Sequence, residues 1–225
     1  DTKNIDKVDN QTILIFRNYL FKEKDKALLR LRNNFREMSP KPVSFQYSKL
    51  SVLYLLMIKL KDRQTGLLYG SYCADALSLG VHWIYDSNEL AQKHGRVSHY
   101  KAPGADSYHP HKQAGDQGHV GDQSLCLLKF LVRKKGWDPV AFMDDWLGMW
   151  PDYNDYVDGA TKATLANIQE QDDKTQRGSD SVEIAGPARI APLLAFLSDS
   201  SEGEVVKASV QQTMLTHNSK EAEES

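Results

Sequence analysis

The stretch Gly121-Asp122-Gln123-Ser124-Leu125-Cys126-Leu127-Leu128-Lys129-Phe130-Leu131-Val132 joins a polar opening to an apolar run. The residues three and seven positions after Leu125 are also apolar, and this spacing predicts a helix with one buried face. Basic residues and a glycine at 133–136 are typical of a helix end. Asp122 is therefore predicted near the N-cap, where its carboxylate either accepts a backbone N–H or, with Ser124, offers oxygen atoms to a metal ion.

The same helical spacing continues through most of the chain, with polar connections between the segments. No segment alternates convincingly between apolar and polar residues, so we expect an all-α fold. Residues 95–120 are rich in Gly, His, Pro and Asp and are predicted to form a long loop. Helices are predicted at 13–36, 65–80, 138–149 (ended by Pro151), 159–168, 182–197 (broken at Pro187 and Pro192) and from Ser201 through Leu215.

Composition limits the classes of function. The chain has 225 residues, 40% of them hydrophobic, and a formal net charge of −2. This balance gives no basic surface for nucleic acid or an anionic membrane, and we expect neither as a partner. The longest apolar run, 50–60, is too short to cross a bilayer. Cys73 and Cys126 lie in apolar stretches without a Cys-x-x-Cys pair, which favours a reducing, cytoplasmic location.

Residues 1–56 differ from the rest in carrying 11 basic and 6 acidic residues. Met57 follows as a plausible native start. We therefore expect 1–56 to be an appended extension and 57–225 to form the main domain.

Several segments of 57–225 together resemble the ADP-ribosylglycohydrolase family, and in particular its branch that includes the jellyfish lens crystallins. Each is weakly diagnostic alone, whereas their order and spacing are fairly specific. They are Gly66–Leu77 (with Ala74-Asp75 where Gly-Asp is usual), His82–Asp86, Gly121–Ser124 (in the place of Thr-Asp-Asp-Thr), Asp158–Lys162, Ala188–Leu193 (for Arg-Ile/Val-Ala-Pro) and Leu215–Asn218 (containing Thr-His).

The resemblance implies an ADP-ribosylglycohydrolase-like helical bundle that uses Mg²⁺ to hydrolyse ADP-ribosyl bonds. Its ligand would be ADP-ribose or an ADP-ribosylated substrate. It implies Mg²⁺ ligands at Asp122, Gln123 and Ser124, and Asp86 is the nearest carboxylate to the family's acidic catalytic position. Four further residues are implied to bind the ligand: Asp158, Arg189, Thr216 and His217.

Departures from the family pattern predict weak catalysis. Gly121 lacks the usual Thr hydroxyl, and Gln123 replaces an Asp. The sequence ends at Ser225 before any Asp-x-Asp-Thr segment, so a bundle truncated at its C-terminus is expected. The alternative function is a catalytically inactive, crystallin-like structural or ADP-ribose-binding protein.

The loop before Asp122 leaves a second kind of site open. His109, His111 and His119, with Asp116 and Asp122, could ligate a transition metal such as zinc; the alternative is a solvated loop. We also expect His217 and the loop 105–120 to line one cleft with Asp122.

Overall fold

The computed structural model describes residues 43–168 and 177–224, and the helix predicted at 13–36 lies outside them. These two ranges contain no β-strand, only an isolated bridge between Ser179 and His217, and the all-α prediction is confirmed. The helices are α1 (Val43–Leu79), α2 (Ser87–His94), α3 (His119–Lys134), α4 (Pro139–Gly148), α5 (Gly159–Asn167), a 3₁₀ helix (Pro187–Arg189), α6 (Ala191–Phe196), α7 (Glu202–Met214) and α8 (Lys220–Glu224).

Helix α3 lies at the centre of the bundle and packs against α1, α4 and α6. Its apolar face is fully buried, because four large side chains point into the core. They are Leu127, Leu128, Phe130 and Leu131. The helix ends at Lys134, and Lys135 adopts a left-handed φ of 57° that terminates it, one residue before the predicted glycine.

Local capping signals in the sequence correctly predict three helix starts. The Asp138 carboxylate accepts the N–H groups of Val140 and Ala141, and proline follows it at 139. Asp158 caps α5, and Ser201 forms a complete capping box with Glu204 at α7. These residues act through their own side chains on the adjacent backbone, which is why short-range patterns reveal them.

The predicted start of α1 at residue 65 is wrong, because the helix begins at Val43. Two further predicted boundaries also differ from the structure. Helix α3 begins at His119 with Gly118 as its N-cap, so Asp122 lies inside the first turn and is not the cap. Residues 182–186 are not helical; the prolines limit this region to the 3₁₀ helix and α6. Both differences arise because tertiary contacts and proline geometry decide where these helices start.

Helix α1 runs without a break through residue 57, the predicted domain boundary. Among the α1 side chains whose burial the structure describes, Leu68, Tyr72 and Leu79 enter the core. Within the described part of the chain, no helix has the length and apolarity needed to cross a membrane.

Candidate functional site

The start of α3 is capped by a carboxylate from another helix. Gly118 N–H donates to Oδ2 of Asp75, an α1 residue, across 2.6 Å. Burial raises the pKa of Asp75, and the hydrogen bond from Gly118 opposes that rise. A Cβ atom on Gly121 would collide with this carboxylate, lying 2.7 Å from Cγ of Asp75. Gly121 therefore fits beside Asp75 where a larger residue would collide.

The carboxylate of Asp122 is already held by two donors. Lys112 Nζ lies 2.5 Å from its Oδ2, and the Tyr153 hydroxyl donates to the same oxygen across 2.8 Å. Burial raises the pKa of Asp122, and the Lys112 charge opposes the rise. Burial and the Asp122 charge also raise the pKa of Tyr153, so its hydroxyl stays protonated and donates.

Asp122, Lys112 and Tyr153 line an open cleft of about 690 Å³. Its other walls come from α3, α4 and the segment after α4. The loop 105–120 was predicted to line a cleft with Asp122, and its residue Lys112 does so. His217, by contrast, is 1% exposed and is not among the described residues that line this cleft.

Gln123 points away from Asp122 into the core. Its Oε1 accepts from Trp146 Nε1 at 2.8 Å and from the guanidinium of Arg189, and its Nε2 contacts Asp158 at 3.4 Å. The Ser124 hydroxyl is buried between Tyr72 and the Arg189 carbonyl oxygen.

The three predicted magnesium ligands therefore have separate partners in this arrangement. A magnesium ion requires near-octahedral oxygen ligands and retains several waters. Here the Gln123 amide oxygen already accepts two donors, and the Asp122 carboxylate faces an ammonium group. These residues do not fit the ion as they stand.

The structure does bring together the four residues that the resemblance implies for ligand binding. The Arg189 guanidinium contacts the Thr216 hydroxyl, and that hydroxyl lies 2.9 Å from Nδ1 of His217. Asp158 joins the network through Gln123. All four side chains are buried. Asp158 accepts from the Thr161 backbone N–H and hydroxyl, and Nε2 of His217 has no hydrogen-bond partner among the described residues.

Charge within this network follows from its burial. Burial lowers the pKa of Arg189 to about 10, which leaves it cationic at neutral pH. Burial and the Arg189 charge lower the pKa of His217 to about 4, so this ring is neutral. Burial alone would raise the pKa of Asp158, but hydrogen bonds from Thr161 and the nearby His119 and Arg189 lower it overall. The network thus contains a buried cation at Arg189, a carboxylate with a lowered pKa at Asp158 and one neutral imidazole at His217.

Asp86, the predicted catalytic candidate, lies at the fully exposed start of α2. Its Oδ1 accepts the backbone N–H groups of Asn88 and Glu89 at 2.7 and 3.0 Å. These hydrogen bonds lower its pKa. A general acid at neutral pH needs the opposite shift.

A histidine cluster forms beside the start of α3, with a composition different from the predicted one. His109 and His119 are present, but the third member is His82, from the turn after α1. His111 is exposed, and the Asp116 carboxylate accepts the Gln113 N–H. Sequence spacing could not reveal His82, because the fold brings it to a loop distant in sequence.

Comparison with known proteins agrees with this architecture. The ADP-ribosylglycohydrolase family model matches residues 57–225. The chain belongs to the ADP-ribosylglycohydrolase family. Within it, the chain is 26% identical to crystallin J1A of Tripedalia cystophora over 159 residues, which cover 63% of this chain and 48% of that protein. Crystallin J1B of the same organism is also 26% identical, over 161 residues, 64% of this chain and 49% of that protein.

The chain therefore spans about half the length of the curated relatives it matches. No solved structure gives a significant match. Both the predicted family and its crystallin-containing branch are confirmed. The family match begins at residue 57, where the sequence resemblance also begins.

Proposed function

We propose that this member of the ADP-ribosylglycohydrolase family binds an ADP-ribosyl group in the cleft beside Asp122, and that the 225-residue chain hydrolyses it slowly or not at all. Family membership supports the substrate class, and the cleft of about 690 Å³ supports the location. Such a volume falls within the range of small-molecule sites.

The observation that carries the weak-hydrolysis part is the contact between Lys112 Nζ and Asp122 Oδ2 at 2.5 Å. An ammonium group takes the carboxylate oxygen that a divalent cation would use. It also neutralises the negative charge that attracts such a cation. Magnesium ligation by Asp122, Gln123 and Ser124, and a catalytic role for Asp86, stay predictions from the resemblance.

Basic side chains in the cleft support recognition of a diphosphate. Three bases line it, Lys112, Lys129 and Arg133, and Arg133 is paired with Asp145. Four aspartates also line the cleft: Asp122, Asp144, Asp145 and Asp152. The Lys112 side chain is 15% exposed, whereas that of Arg133 is 57% exposed. We assign Lys112 the main phosphate contact, since a shielded ammonium group loses less to solvent screening.

We further propose that the buried network of Asp158, Arg189, Thr216 and His217 serves ligand binding by supporting the cleft. Gln123 links the network to α3 directly beside Asp122 in sequence. A displaced Gln123 would rotate the first turn of α3 and move the Asp122 carboxylate.

A structural role without ligand is the second candidate function. Two matched relatives are crystallins, and Gln123 here contributes to core packing through Trp146 and Arg189. This candidate predicts a stable fold and no affinity for ADP-ribose.

Calorimetric titration of the 225-residue chain with ADP-ribose distinguishes the two candidates. We expect saturable binding, weakened at least fivefold by Lys112→Met. Lys207→Met is the matched control, because Lys207 is exposed on α7 and away from the cleft residues, and it should bind like the wild type. Absence of binding would support the structural role.

Turnover is measured separately on an ADP-ribosylated peptide, with millimolar Mg²⁺ and with or without a chelator. We expect no turnover above the uncatalysed background. Robust turnover that the chelator abolishes would contradict weak hydrolysis and leave the binding proposal standing.

A further inference from the structure

Three histidines from separate parts of the chain meet at the start of α3. His82 follows α1, His109 lies in the long loop and His119 is the first residue of α3. Each offers a ring nitrogen, and these three nitrogens all lie within 4.8 Å of one another. The ring centroids form a nearly equilateral triangle with sides of 5.5, 5.7 and 5.8 Å. Three imidazoles bound to one ion have such a symmetrical arrangement.

Two buried nitrogens in this cluster have no hydrogen-bond partner among the described residues: His109 Nε2 and His119 Nδ1. The His109 side chain has no exposed surface, and that of His119 is 7% exposed. Buried polar atoms almost always have a partner, and an exception calls for an explanation such as an ion. Both atoms are unsatisfied within the same cluster, which favours a shared partner.

His109 also has the outer contact that is typical of metal-bound histidines. Its Nδ1 lies 2.6 Å from Oδ2 of Asp155, whose side chain is 2% exposed. A carboxylate on one ring nitrogen fixes the tautomer and ring orientation and makes the other nitrogen a better ligand. The free nitrogen is Nε2, the atom without a partner.

The unprotonated state of two of these rings at neutral pH favours ligation. Burial and the neighbouring His109 lower the pKa of His82 to about 4. Burial lowers the pKa of His119 to about 4. The Asp158 carboxylate opposes this shift, whereas the neighbouring His109, His82 and Arg189 reinforce it. Both rings are neutral at pH 7, and a neutral imidazole is the form that binds metals.

A strained residue positions the third ring. Trp83 has a φ of 66°, a conformation that costs bulky residues free energy. Its indole stacks on His82 with ring centroids 3.7 Å apart. The stack holds the otherwise exposed His82 ring over the other two.

We propose that His82, His109 and His119 form a binding site for a first-row divalent transition ion, with Zn²⁺ as the best fit. Three imidazoles without a thiolate suit zinc, and such a set leaves a fourth position for water or substrate. Zinc–nitrogen bonds of about 2.0–2.1 Å place tetrahedral ligand nitrogens about 3.4 Å apart. The three ring nitrogens now lie within 4.8 Å of one another, and a modest rotation of the exposed His82 ring would bring them to the shorter distance.

This site is chemically distinct from a magnesium site of carboxylate oxygens, and it does not depend on the proposed function. Magnesium prefers carboxylate and water oxygens, whereas the cluster supplies only nitrogen. Two carboxylates lie near the cluster without facing its centre. That of Asp155 contacts Nδ1 of His109, and that of Asp158 lies 3.8 Å from Nε2 of His119.

The test is calorimetric titration of the untagged 225-residue chain, freed of metal with a chelator, with Zn²⁺. We expect one equivalent to bind, with affinity at least tenfold lower in His82→Gln. His82 is exposed, so this variant is expected to fold. His111→Gln is the matched control, because His111 is an exposed histidine of the loop that contains His109, and its affinity should equal that of the wild type.

Asp155→Asn provides a second readout through His109. Loss of an outer-shell carboxylate typically lowers metal affinity 10- to 100-fold, and we expect a decrease in that range. Co²⁺ serves as a spectroscopic probe: its visible ligand-field bands should appear in the wild type and His111→Gln and be lost in His82→Gln. Failure to bind one equivalent of Zn²⁺, or equal affinity in the wild type and His82→Gln, would overturn the site.

Discussion

The backbone N–H of Gly118 donates to the Asp75 carboxylate across 2.6 Å, so a residue of α1 caps the start of α3. One departure from the family sequence lies beside this contact. Asp75, which the family pattern shares, supplies the carboxylate, and Gly121 leaves the space that the carboxylate occupies. The size of the side chain at 121 is therefore coupled to the position of Asp75.

Gly121→Ala tests this steric coupling. We expect it to lower the free energy of unfolding by about 1–3 kcal/mol, because the new methyl group overpacks against Asp75. Gly148→Ala is the control, since Gly148 also lies in a helix and a Cβ there meets nothing within 4 Å. That change should stabilise by about 0.5–1 kcal/mol. Chemical denaturation measures both; effects of the same sign would contradict the collision.

How far the sequence predicts this structure depends on the range of the interaction. The caps at Asp138, Asp158 and Ser201 were predictable, because each side chain bonds backbone within three residues of itself. The start of α3 was not, because its capping carboxylate comes from residue 75. Short-range periodicity contains no information about that contact.

In the site, too, residues with a local sequence signal were predictable, whereas residues that depend on distant contacts were not. Arg189, Thr216 and His217 were found as a group through the resemblance, and the fold places them in contact. Lys112 and His82 were missed in their observed roles. Each meets its partners only after loop 95–118 folds over α3, and neither has a local signal that separates it from a solvated side chain.

Lys112→Met should increase the response to Mg²⁺. Removing the ammonium group frees the Asp122 carboxylate, which then faces a cleft open to water. We expect millimolar Mg²⁺ to raise the melting temperature of this variant more than that of the wild type. The double variant Lys112→Met/Asp122→Asn is the control and should not respond. An equal response in the wild type and both variants would exclude Asp122 as a magnesium ligand.

Gln123→Leu should be strongly destabilising. It leaves the Trp146 indole N–H and the Arg189 guanidinium without their shared acceptor in the core. A buried unsatisfied donor costs about 1–3 kcal/mol, and more when charged, so we expect a loss of roughly 2–4 kcal/mol.

Gln211→Leu is the matched control for that change. Gln211 also accepts from an indole N–H, that of Trp137 at 3.1 Å, but this contact is only partly buried. Water can replace the lost acceptor there, so the expected loss is about 0.5–1.5 kcal/mol. Similar losses at both glutamines, measured by urea denaturation, would contradict the importance assigned to the buried network.

Acid should destabilise the protein partly through His217. Its pKa falls from about 6.5 to about 4 on folding, because the ring is buried and faces Arg189, with Asp158 opposing. The unfolded chain then binds the proton more readily. The stability that this neutral ring contributes is complete above about pH 6.5 and is lost as the pH falls towards 4.

The measurement compares the free energy of unfolding of the wild type and His217→Gln at pH 7 and pH 5, with chelator present to exclude metal effects. The variant is expected to be less stable at pH 7 but to lose less stability on acidification. An identical pH dependence would show that His217 does not keep its lowered pKa in the folded protein.

Deletion of residues 1–56 should leave a cooperatively folding protein. Helix α1 begins at Val43 and runs through the deletion point, so the variant shortens the helix. The described contacts that anchor α1 all lie after residue 57. Gln64 Nε2 donates to the Ala195 carbonyl oxygen across 3.0 Å, and Leu68 and Tyr72 belong to the main core cluster. Tertiary packing of this kind, more than helix length, determines helix stability in proteins.

Deletion of residues 1–42, which leaves α1 whole, is the control. Thermal unfolding followed by circular dichroism should give a single sharp transition in both truncated proteins, within a few degrees of each other. If the shorter protein unfolds broadly while the control unfolds sharply, residues 43–56 are part of the cooperative unit, and the boundary at residue 57 is wrong. The family match from residue 57 onward favours the first result.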